Sequence, residues 1–406
     1  MSVRAWAYRI SAAVLGALVP LAAIEGYLRL TGPGGGFYEP DPALGARLIP
    51  NATGRWRRAC FDVPIRINSQ GLRDVEHPIQ KPPETERIAV LGDSIAEALQ
   101  VPLEESFPRR LEELLNAAGR RPRGEVINFG VSGYGSDQEY LVLKTRAAAY
   151  QPDVVVLAFT IGNDVRNNSP RLERQMSSYP KPFFRLDAGG HLVHVPIPAA
   201  EQSAAGILAK IKGGLRALRL YDLAVGWVRT HPSVVAFLAK VGLVQAAEAP
   251  PPHPGEEGQG VGPNMAYVDA SVYLSNPGPD WEEAWGVTEA LIRVIRTEAE
   301  HMGARFVLVS IPPPLELATS EALLKELPDY TPARYDLDRP RARLKRLAEA
   351  EGLEYISMYD VFAADLRARQ QPLESIYFWC DGHLNPRGHH LVAQAIAERL
   401  RRQIPR

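Results

Sequence analysis

Apolar runs of four to six residues alternate with longer amphipathic stretches along much of the chain beyond residue 85. The runs predict buried strands at residues 88–91, 126–129, 154–159, 306–310 and 353–356. The stretches between them repeat apolar residues at helical spacing and predict helices at residues 104–118, 138–150, 289–302, 340–351 and 386–401. Because strands and helices alternate, we predict a parallel sheet with right-handed crossovers. The predicted fold class is α/β, a flavodoxin-like three-layer sandwich around that sheet.

The alternation stops over roughly residues 166–285, which we interpret as a large insertion. Its first part predicts a β-hairpin at residues 183–195, joined by an Asp-Ala-Gly-Gly turn. A largely helical stretch at residues 204–243 and a Pro-rich loop at residues 249–255 follow. The insertion either forms a lid over a binding site or lies at the periphery without a catalytic role.

The N-terminus carries an apolar segment that is flanked by charge. Arg4 and Arg9 precede residues 10–24, and Glu25 follows them. An apolar segment after positive charge is typical of a membrane helix whose N-terminus is cytoplasmic. We favour an uncleaved anchor, which would place the rest of the chain outside the cytoplasm. A signal peptide that is removed is the alternative.

Short polar motifs follow three of the predicted strands and precede the last predicted helix. They are Gly92-Asp93-Ser94, Val131-Ser132-Gly133, Gly162-Asn163-Asp164 and Asp381-Gly382-His383. The carboxyl ends of parallel strands meet at one edge of a sheet, where open α/β proteins bind their ligands. We therefore expect these motifs to converge on one site.

The residue types in these motifs supply the parts of a serine hydrolase. A serine hydroxyl is a weak nucleophile until a base accepts its proton, so we predict Ser94 as the nucleophile and His383 as the base. Asp381 would orient the imidazole and stabilise the imidazolium. The Ser94 N–H, the Gly133 N–H and the Asn163 amide would stabilise the tetrahedral oxyanion.

The composition is that of an ordinary globular protein, with 46% hydrophobic and 23% charged residues and a net charge of -1. This balance gives no support to nucleic-acid binding. Cysteine and histidine residues do not cluster at metal-ligand spacing, so we predict no metal site. The two cysteines, Cys60 and Cys380, either form a disulfide in an oxidising compartment or are buried free thiols.

The four motifs resemble the blocks of the SGNH (GDSL-type) serine hydrolases of the membrane-anchored bacterial type. Gly92-Asp93-Ser94-Ile95 resembles the nucleophile block, Gly133 and Asn163 match the next two blocks, and His383 matches the last. The family usually places Asp three residues before His, whereas Asp381 lies two before His383. Relatives that O-acetylate exopolysaccharides also show the two-residue spacing. The resemblance implies the SGNH hydrolase fold and ester substrates, including acetylated carbohydrates and lipids.

We accordingly predict three parts. Residues 1–31 are the membrane anchor, residues 32–84 are a Gly/Pro-rich tether and lead-in segment, and residues 85–402 are the hydrolase domain that contains the insertion. Within the lead-in segment, residues 63–68 alternate like an edge strand. Arg73 either pairs with a nearby acid or points toward the active site.

The predicted function is an extracytoplasmic serine esterase that hydrolyses carbohydrate O-acetyl or lipid esters through an acyl-enzyme, without cofactor or metal. The same residues would serve an O-acyltransferase acting on an envelope or secreted polysaccharide, because a sugar hydroxyl can replace water as the second nucleophile. A catalytically silent polysaccharide-binding protein is the third hypothesis. The expected partners are the ester substrate and, through the N-terminal helix, the membrane.

Overall fold

A computed structural model describes residues 16, 19–27, 36–117, 122–173, 180–198, 270–317, 324, 327 and 329–402. Residues 37–197 and 259–406 form one compact unit, and residues 1–36 and 198–258 form a second. In the second unit, residues 19–27 are helical. Among the described residues, no helix combines the length and apolar character that a membrane crossing requires. Most of the predicted anchor, and the predicted features at residues 204–243 and 249–255, lie outside the described residues.

The larger unit contains the following elements in its described part. The strands are β1 Tyr38–Asp41, β2 Gly45–Leu48, β3 Thr53–Arg58, β4 Phe61–Arg66, β5 Thr85–Gly92, β6 Arg123–Asn128, β7 Val154–Thr160, β8 Phe183–Leu186, β9 Leu192–Val195, β10 Arg305–Ile311 and β11 Glu354–Ser357. The α-helices are α1 Ser94–Glu97, α2 Phe107–Asn116, α3 Ser136–Thr145, α4 Ile161–Asn167, α5 Pro170–Glu173, α6 Pro279–His301, α7 Arg339–Glu351, α8 Met358–Arg369 and α9 Pro386–Arg401.

A parallel five-stranded sheet is the centre of this unit, with strand order β11-β10-β7-β5-β6. This is the flavodoxin-like order, so the predicted sheet is confirmed. After β5 the chain moves to one side of the sheet, and from β7 onward it moves to the other. The carboxyl ends of β5 and β7 therefore border the crevice where such sheets bind ligands.

Each strand buries alternate residues on opposite faces of the sheet. On β5, Ala89 and Leu91 belong to the core that α3, α6 and α7 cover, whereas Ile88 and Val90 belong to the core under α2, α8 and α9. All four side chains are almost completely buried. Two covered faces explain why the strands read as continuous apolar runs, and they give the predicted three layers.

The lead-in segment folds into two antiparallel pairs, β1 with β2 and β3 with β4. The predicted strand at residues 63–68 is therefore present, although β4 begins and ends two residues earlier. Arg73 follows it and is buried, with its guanidinium donating to the backbone oxygens of Glu97 and Val101. The contacts of Arg73 are thus structural, and they fix the segment to the chain just after α1.

The described part of the insertion contains the predicted hairpin, with β8 paired to β9. Phe184 of β8 packs against Val287 and Leu291 of α6 and meets the ring of Tyr140 from α3. This hairpin therefore lies against the helical layer. The longer remainder of the insertion is outside the described residues, and the lid hypothesis stays a prediction.

Gly130 allows α1 to pack directly on the turn after β6. A Cβ atom at Gly130 would lie 2.5 Å from Ala96 Cβ and 2.8 Å from the Glu97 nitrogen. Overpacking of this kind costs about 1–3 kcal/mol. We expect Gly130→Ala to lower Tm in differential scanning calorimetry and to lower kcat, because the helix that starts with Ser94 must shift.

Gly286→Ala is the matched control, because a Cβ there would meet only Leu186 Cδ1 at 3.5 Å. Gly286 lies inside α6, where alanine is favoured over glycine by up to about 1 kcal/mol. Its Tm should stay or rise and its kcat should not change. A Gly130→Ala protein with the parental Tm and kcat would contradict the close packing described here.

Candidate active site

Ser94 is placed by the turn from the first sheet strand into a short helix. It is the first residue of α1, and only Asp93 separates it from the end of β5 at the carboxyl edge of the sheet. The Asp93 side chain caps this helix by accepting the Ile95 N–H at 2.9 Å. The Ser94 side chain is half-buried, so its hydroxyl lies between core and solvent.

His383 meets Ser94 although 289 residues separate them in the chain. The distance between His383 Nε2 and Ser94 Oγ is 2.9 Å. His383 lies in a tight loop that begins and ends at the bridge between Tyr377 and Leu384, and its backbone oxygen accepts the Phe378 N–H. Asn385 then caps α9, which the motif Asn385-Pro386 predicted. The structure thus brings the predicted nucleophile and base into hydrogen-bond contact.

Asp381 folds back on His383 in spite of the short spacing between them. Asp381 Oδ2 lies 3.3 Å from His383 Nδ1, and Asp381 Oδ1 accepts the His383 backbone N–H at 3.1 Å. The Asp381 backbone oxygen is also 3.3 Å from Nδ1. Gln100 Nε2 lies 3.5 Å from Asp381 Oδ2. The Nδ1 proton is therefore shared between a carboxylate and a carbonyl, which orients Nε2 toward Ser94.

The pKa values of the two groups are shifted in opposite directions. Burial disfavours the carboxylate of Asp381, but the hydrogen bond and charge of His383 outweigh it and hold its pKa below the usual value. Burial likewise disfavours the imidazolium, but the hydrogen bond and charge of Asp381, with a smaller effect of Asp93, raise the pKa of His383. The site therefore stabilises the ion pair that forms when Ser94 gives up its proton.

The predicted oxyanion donors come from three separate segments of the chain: the start of α1, the loop before α3, and α4. Gly133 is exposed and has φ +79°, a conformation that favours glycine, and a Cβ there would contact nothing within 4 Å. Among the described residues, neither the Ser94 N–H nor the Gly133 N–H has an acceptor. Asn163 Nδ2 donates to Asp93 Oδ2 at 2.7 Å, which leaves its second N–H for an oxyanion.

Cys60 and Cys380 form a disulfide, with 5.9 Å between their Cα atoms. Cys60 lies in the turn between β3 and β4, and Cys380 directly precedes Asp381. The rings of Phe61 and Phe378 meet beside the bond at a centroid distance of 5.2 Å. The bond thus ties the lead-in segment to the loop that carries His383.

Two residues near the site were not predicted, Glu97 and Gln100. Both are buried, and Glu97 lies in the same helical turn as Ser94. A single carboxylate within the apolar segment at residues 95–99 is the sequence signal that could have revealed Glu97, because a buried carboxylate needs partners. Within the described residues, no group of three or more His, Cys, Asp or Glu side chains is arranged to hold a metal ion.

Comparison with known proteins adds a family to this geometry. The family model described as GDSL-like lipase/acylhydrolase matches residues 90–391, more than half of the chain and all four motifs. No curated protein sequence matches the chain significantly.

Several solved structures resemble the chain at low TM-scores. An acetylxylan esterase of Geobacillus stearothermophilus has a TM-score of 0.38 and 14% identity, covering 78% of this chain and 94% of that one. An alpha/beta hydrolase from the metagenome of Lake Arreo, Spain, has a TM-score of 0.38 and 13% identity, covering 77% of this chain and 94% of that one. A two-domain esterase active on acetylated mannans has a TM-score of 0.37 and 14% identity, covering 79% of this chain and 50% of that one. Similarity this low supports no inference about substrate.

The raised pKa of His383 predicts the pH dependence of Ser94 reactivity. Covalent labelling of Ser94 by a fluorophosphonate needs neutral imidazole, so the rate should rise with pH through a midpoint above the ordinary histidine pKa of about 6.5. Asp381→Asn removes the carboxylate whose hydrogen bond and charge contribute most to raising this pKa. We expect its midpoint to move to lower pH and its maximal rate to fall about 10²–10⁴-fold.

Glu374→Gln removes an exposed carboxylate close to the same loop and serves as the control. Its midpoint and maximal rate should match those of the parent protein. An Asp381→Asn midpoint that stays in place, or moves to higher pH, would show that Asp381 does not stabilise the imidazolium.

Proposed function

The chain belongs to the GDSL-like lipase/acylhydrolase family and is a serine hydrolase that acts on ester bonds, and on that premise we propose that Ser94, His383 and Asp381 are its catalytic residues. The 2.9 Å contact between His383 Nε2 and Ser94 Oγ carries this assignment. The oxyanion hole of the proposal consists of the Ser94 N–H, the Gly133 N–H and the Asn163 amide.

In the acylation half-reaction, Ser94 Oγ attacks the ester carbonyl while His383 Nε2 accepts the hydroxyl proton. The carbonyl oxygen becomes an oxyanion, and the three donors of the hole stabilise it. Removal of one such donor typically lowers kcat about 10²–10³-fold. Collapse of the intermediate breaks the bond to the alcohol, which leaves with the proton that His383 returns.

In the deacylation half-reaction, His383 takes a proton from water, and the resulting hydroxide attacks the acyl group on Ser94. The tetrahedral intermediate collapses, the acid leaves, and Ser94 Oγ recovers the proton from His383. Asp381 keeps Nδ1 protonated throughout and stabilises the imidazolium in both halves. A sugar hydroxyl that replaced water at this stage would give acyl transfer by the same residues.

A carbohydrate ester is the substrate class that we propose. Trp379 is 58% exposed and lies on the His383 loop, two residues before Asp381. An indole has a large apolar face and a polar N–H, so it can contact a ligand that is itself partly apolar and partly polar. A sugar ring offers a flat apolar face that suits an indole, and its O-acetyl groups are small esters that a half-buried serine can reach.

We also propose an extracytoplasmic location with the N-terminal segment as membrane anchor. The Cys60–Cys380 disulfide supports this, because such bonds persist in oxidising compartments and are rare in the cytosol. The apolar residues 10–24 after Arg4 and Arg9 support it as well.

Activity on acetylated polysaccharide tests the proposed reaction. The parent protein should release acetate from acetylated polysaccharide and from short-chain nitrophenyl esters, and Ser94→Ala should lose about 10⁴-fold or more of both activities. Acetate release that Ser94→Ala retains would end the assignment. A preference for long-chain esters would indicate that the substrate is a lipid and not a carbohydrate. Acetyl transfer to an added polysaccharide would indicate that the protein is an O-acyltransferase and not an esterase.

A topology reporter tests the proposed location. Alkaline phosphatase, which needs an oxidising compartment to fold, should be active when fused after residue 402 of the full chain in a bacterial host. Charge reversal by Arg4→Glu with Arg9→Glu should lower that activity, because positive charge holds the N-terminus in the cytoplasm. An inactive fusion with full expression would contradict the proposed location.

A further inference from the structure

Glu97 is a fully buried carboxylate that ends the helix on which Ser94 begins. A buried carboxylate is stable only when it is paired and hydrogen-bonded. Glu97 receives hydrogen bonds from two residues. Tyr38 Oη lies 2.9 Å from both carboxylate oxygens, and Ser132 donates its backbone N–H and its hydroxyl to Oε2.

The two donors come from parts of the chain that are remote from α1. Tyr38 is the first residue of β1 in the lead-in segment, and Ser132 directly precedes Gly133. The peptide between Ser132 and Gly133 carries the N–H of the proposed oxyanion hole. Two bonds from Ser132 to one oxygen therefore fix the start of that peptide relative to the helix that carries the nucleophile.

Gly133 itself depends on such anchoring, because it is exposed and has a left-handed conformation. Its carbonyl is held from the other side, where Asn167 Nδ2 donates to it at 2.8 Å. Glu97 thus holds the residue before Gly133 and Asn167 holds the carbonyl of Gly133, so the peptides on both sides of Gly133 are anchored. Arg73 helps to hold Glu97 in place, because its guanidinium donates to the backbone oxygens of Glu97 and Val101.

We propose that Glu97 and Tyr38 are positioning residues for the oxyanion hole. The carboxylate holds the Ser132–Gly133 peptide at a fixed place against the Ser94 helix, and the hydroxyl of Tyr38 holds the carboxylate. The lead-in segment is then a working part of the active site and not only a connection to the N-terminus. This inference rests on the role of the Gly133 N–H in the proposed function.

The effect of this positioning belongs to the transition state. The oxyanion forms only during the reaction, so a displaced Gly133 N–H weakens binding of the tetrahedral state more than binding of the ester. A displacement of about 1 Å can cost 10²-fold in rate. His383 is untouched by Glu97, so its titration should not change.

Glu97→Gln and Tyr38→Phe test the proposal in the full chain with a nitrophenyl acetate assay. The first variant keeps the volume but replaces one acceptor oxygen by a donor, and we expect kcat to fall about 10–100-fold with KM within about threefold. The second removes only the hydroxyl, and we expect a fall of about 3–10-fold. In both, the Ki of a trifluoromethyl ketone, which forms a tetrahedral oxyanion on Ser94, should rise in proportion to the loss in kcat/KM, with the midpoint of the pH profile unchanged.

Tyr273→Phe is the matched control, because Tyr273 Oη likewise donates to a buried carboxylate, that of Glu316, at 2.7 Å. It should lower Tm to a similar extent as Tyr38→Phe while kcat stays at the parental value. If Glu97→Gln does not fold, Tyr38→Phe decides the question.

Parental kcat and Ki in a folded Glu97→Gln or Tyr38→Phe protein would overturn the inference, as would losses that also occur in Tyr273→Phe. Ser94→Ala separates this outcome from failure of the proposed function. If Ser94→Ala is inactive and Glu97→Gln is fully active, only the positioning role is wrong. If Ser94→Ala retains activity, the proposed function itself is wrong.

Discussion

The hydrogen bond between His383 Nε2 and Ser94 Oγ is the contact on which the chemistry of this protein depends. Neither residue can reach the other through local structure, since β6, β7, β10 and β11 are formed between them in the chain. The sheet order makes the contact possible, because it ends β5 at the switch point and lets the chain return from β11 through α8 to the same edge. Apolar packing on both faces of the sheet therefore places two polar groups at a fixed distance.

Several acids are buried close to this contact, and burial shifts their pKa values upward. Burial raises the pKa of Asp93, although the Asn163 amide opposes the shift. Burial and then repulsion from other carboxylates raise the pKa values of Glu139 and Asp164 well above the usual range. A carboxylate near an oxyanion hole would repel the developing negative charge. The upward shifts of Glu139 and Asp164 reduce that repulsion, whereas the charge of Asp93 helps to raise the pKa of His383.

The sequence predicted the sheet and the motifs at its edge for one physical reason: a strand covered on both faces has a continuous apolar run, and the polar residues that follow it stand out. Helix α8 was missed because only Met358 and Phe362 are fully buried in it, so it shows no apolar stripe. Ser94 and His383 were predicted from residue type and position. Glu97 and Gln100 were not, because the partners of their side chains are 35 or more residues away, and the sequence does not show which residues pair at such separation.

The lead-in segment joins the two halves of the site that the sheet alone leaves separate. Tyr38 reaches the nucleophile side through Glu97, and Cys60 reaches the base side through Cys380, across 320 residues of chain. The sheet fixes where β5 ends, whereas the loop before α9 is irregular and is anchored to the core by Tyr377 and Leu384 at its two ends. A disulfide that closes so long a loop removes much of the freedom of the unfolded chain, and here it also limits the motion of Asp381 and His383. Because the same short segment contacts the Ser94 helix and the His383 loop, it holds the nucleophile and the base in a fixed relative position. Proton transfer between Ser94 Oγ and His383 Nε2, which are 2.9 Å apart, requires such a position.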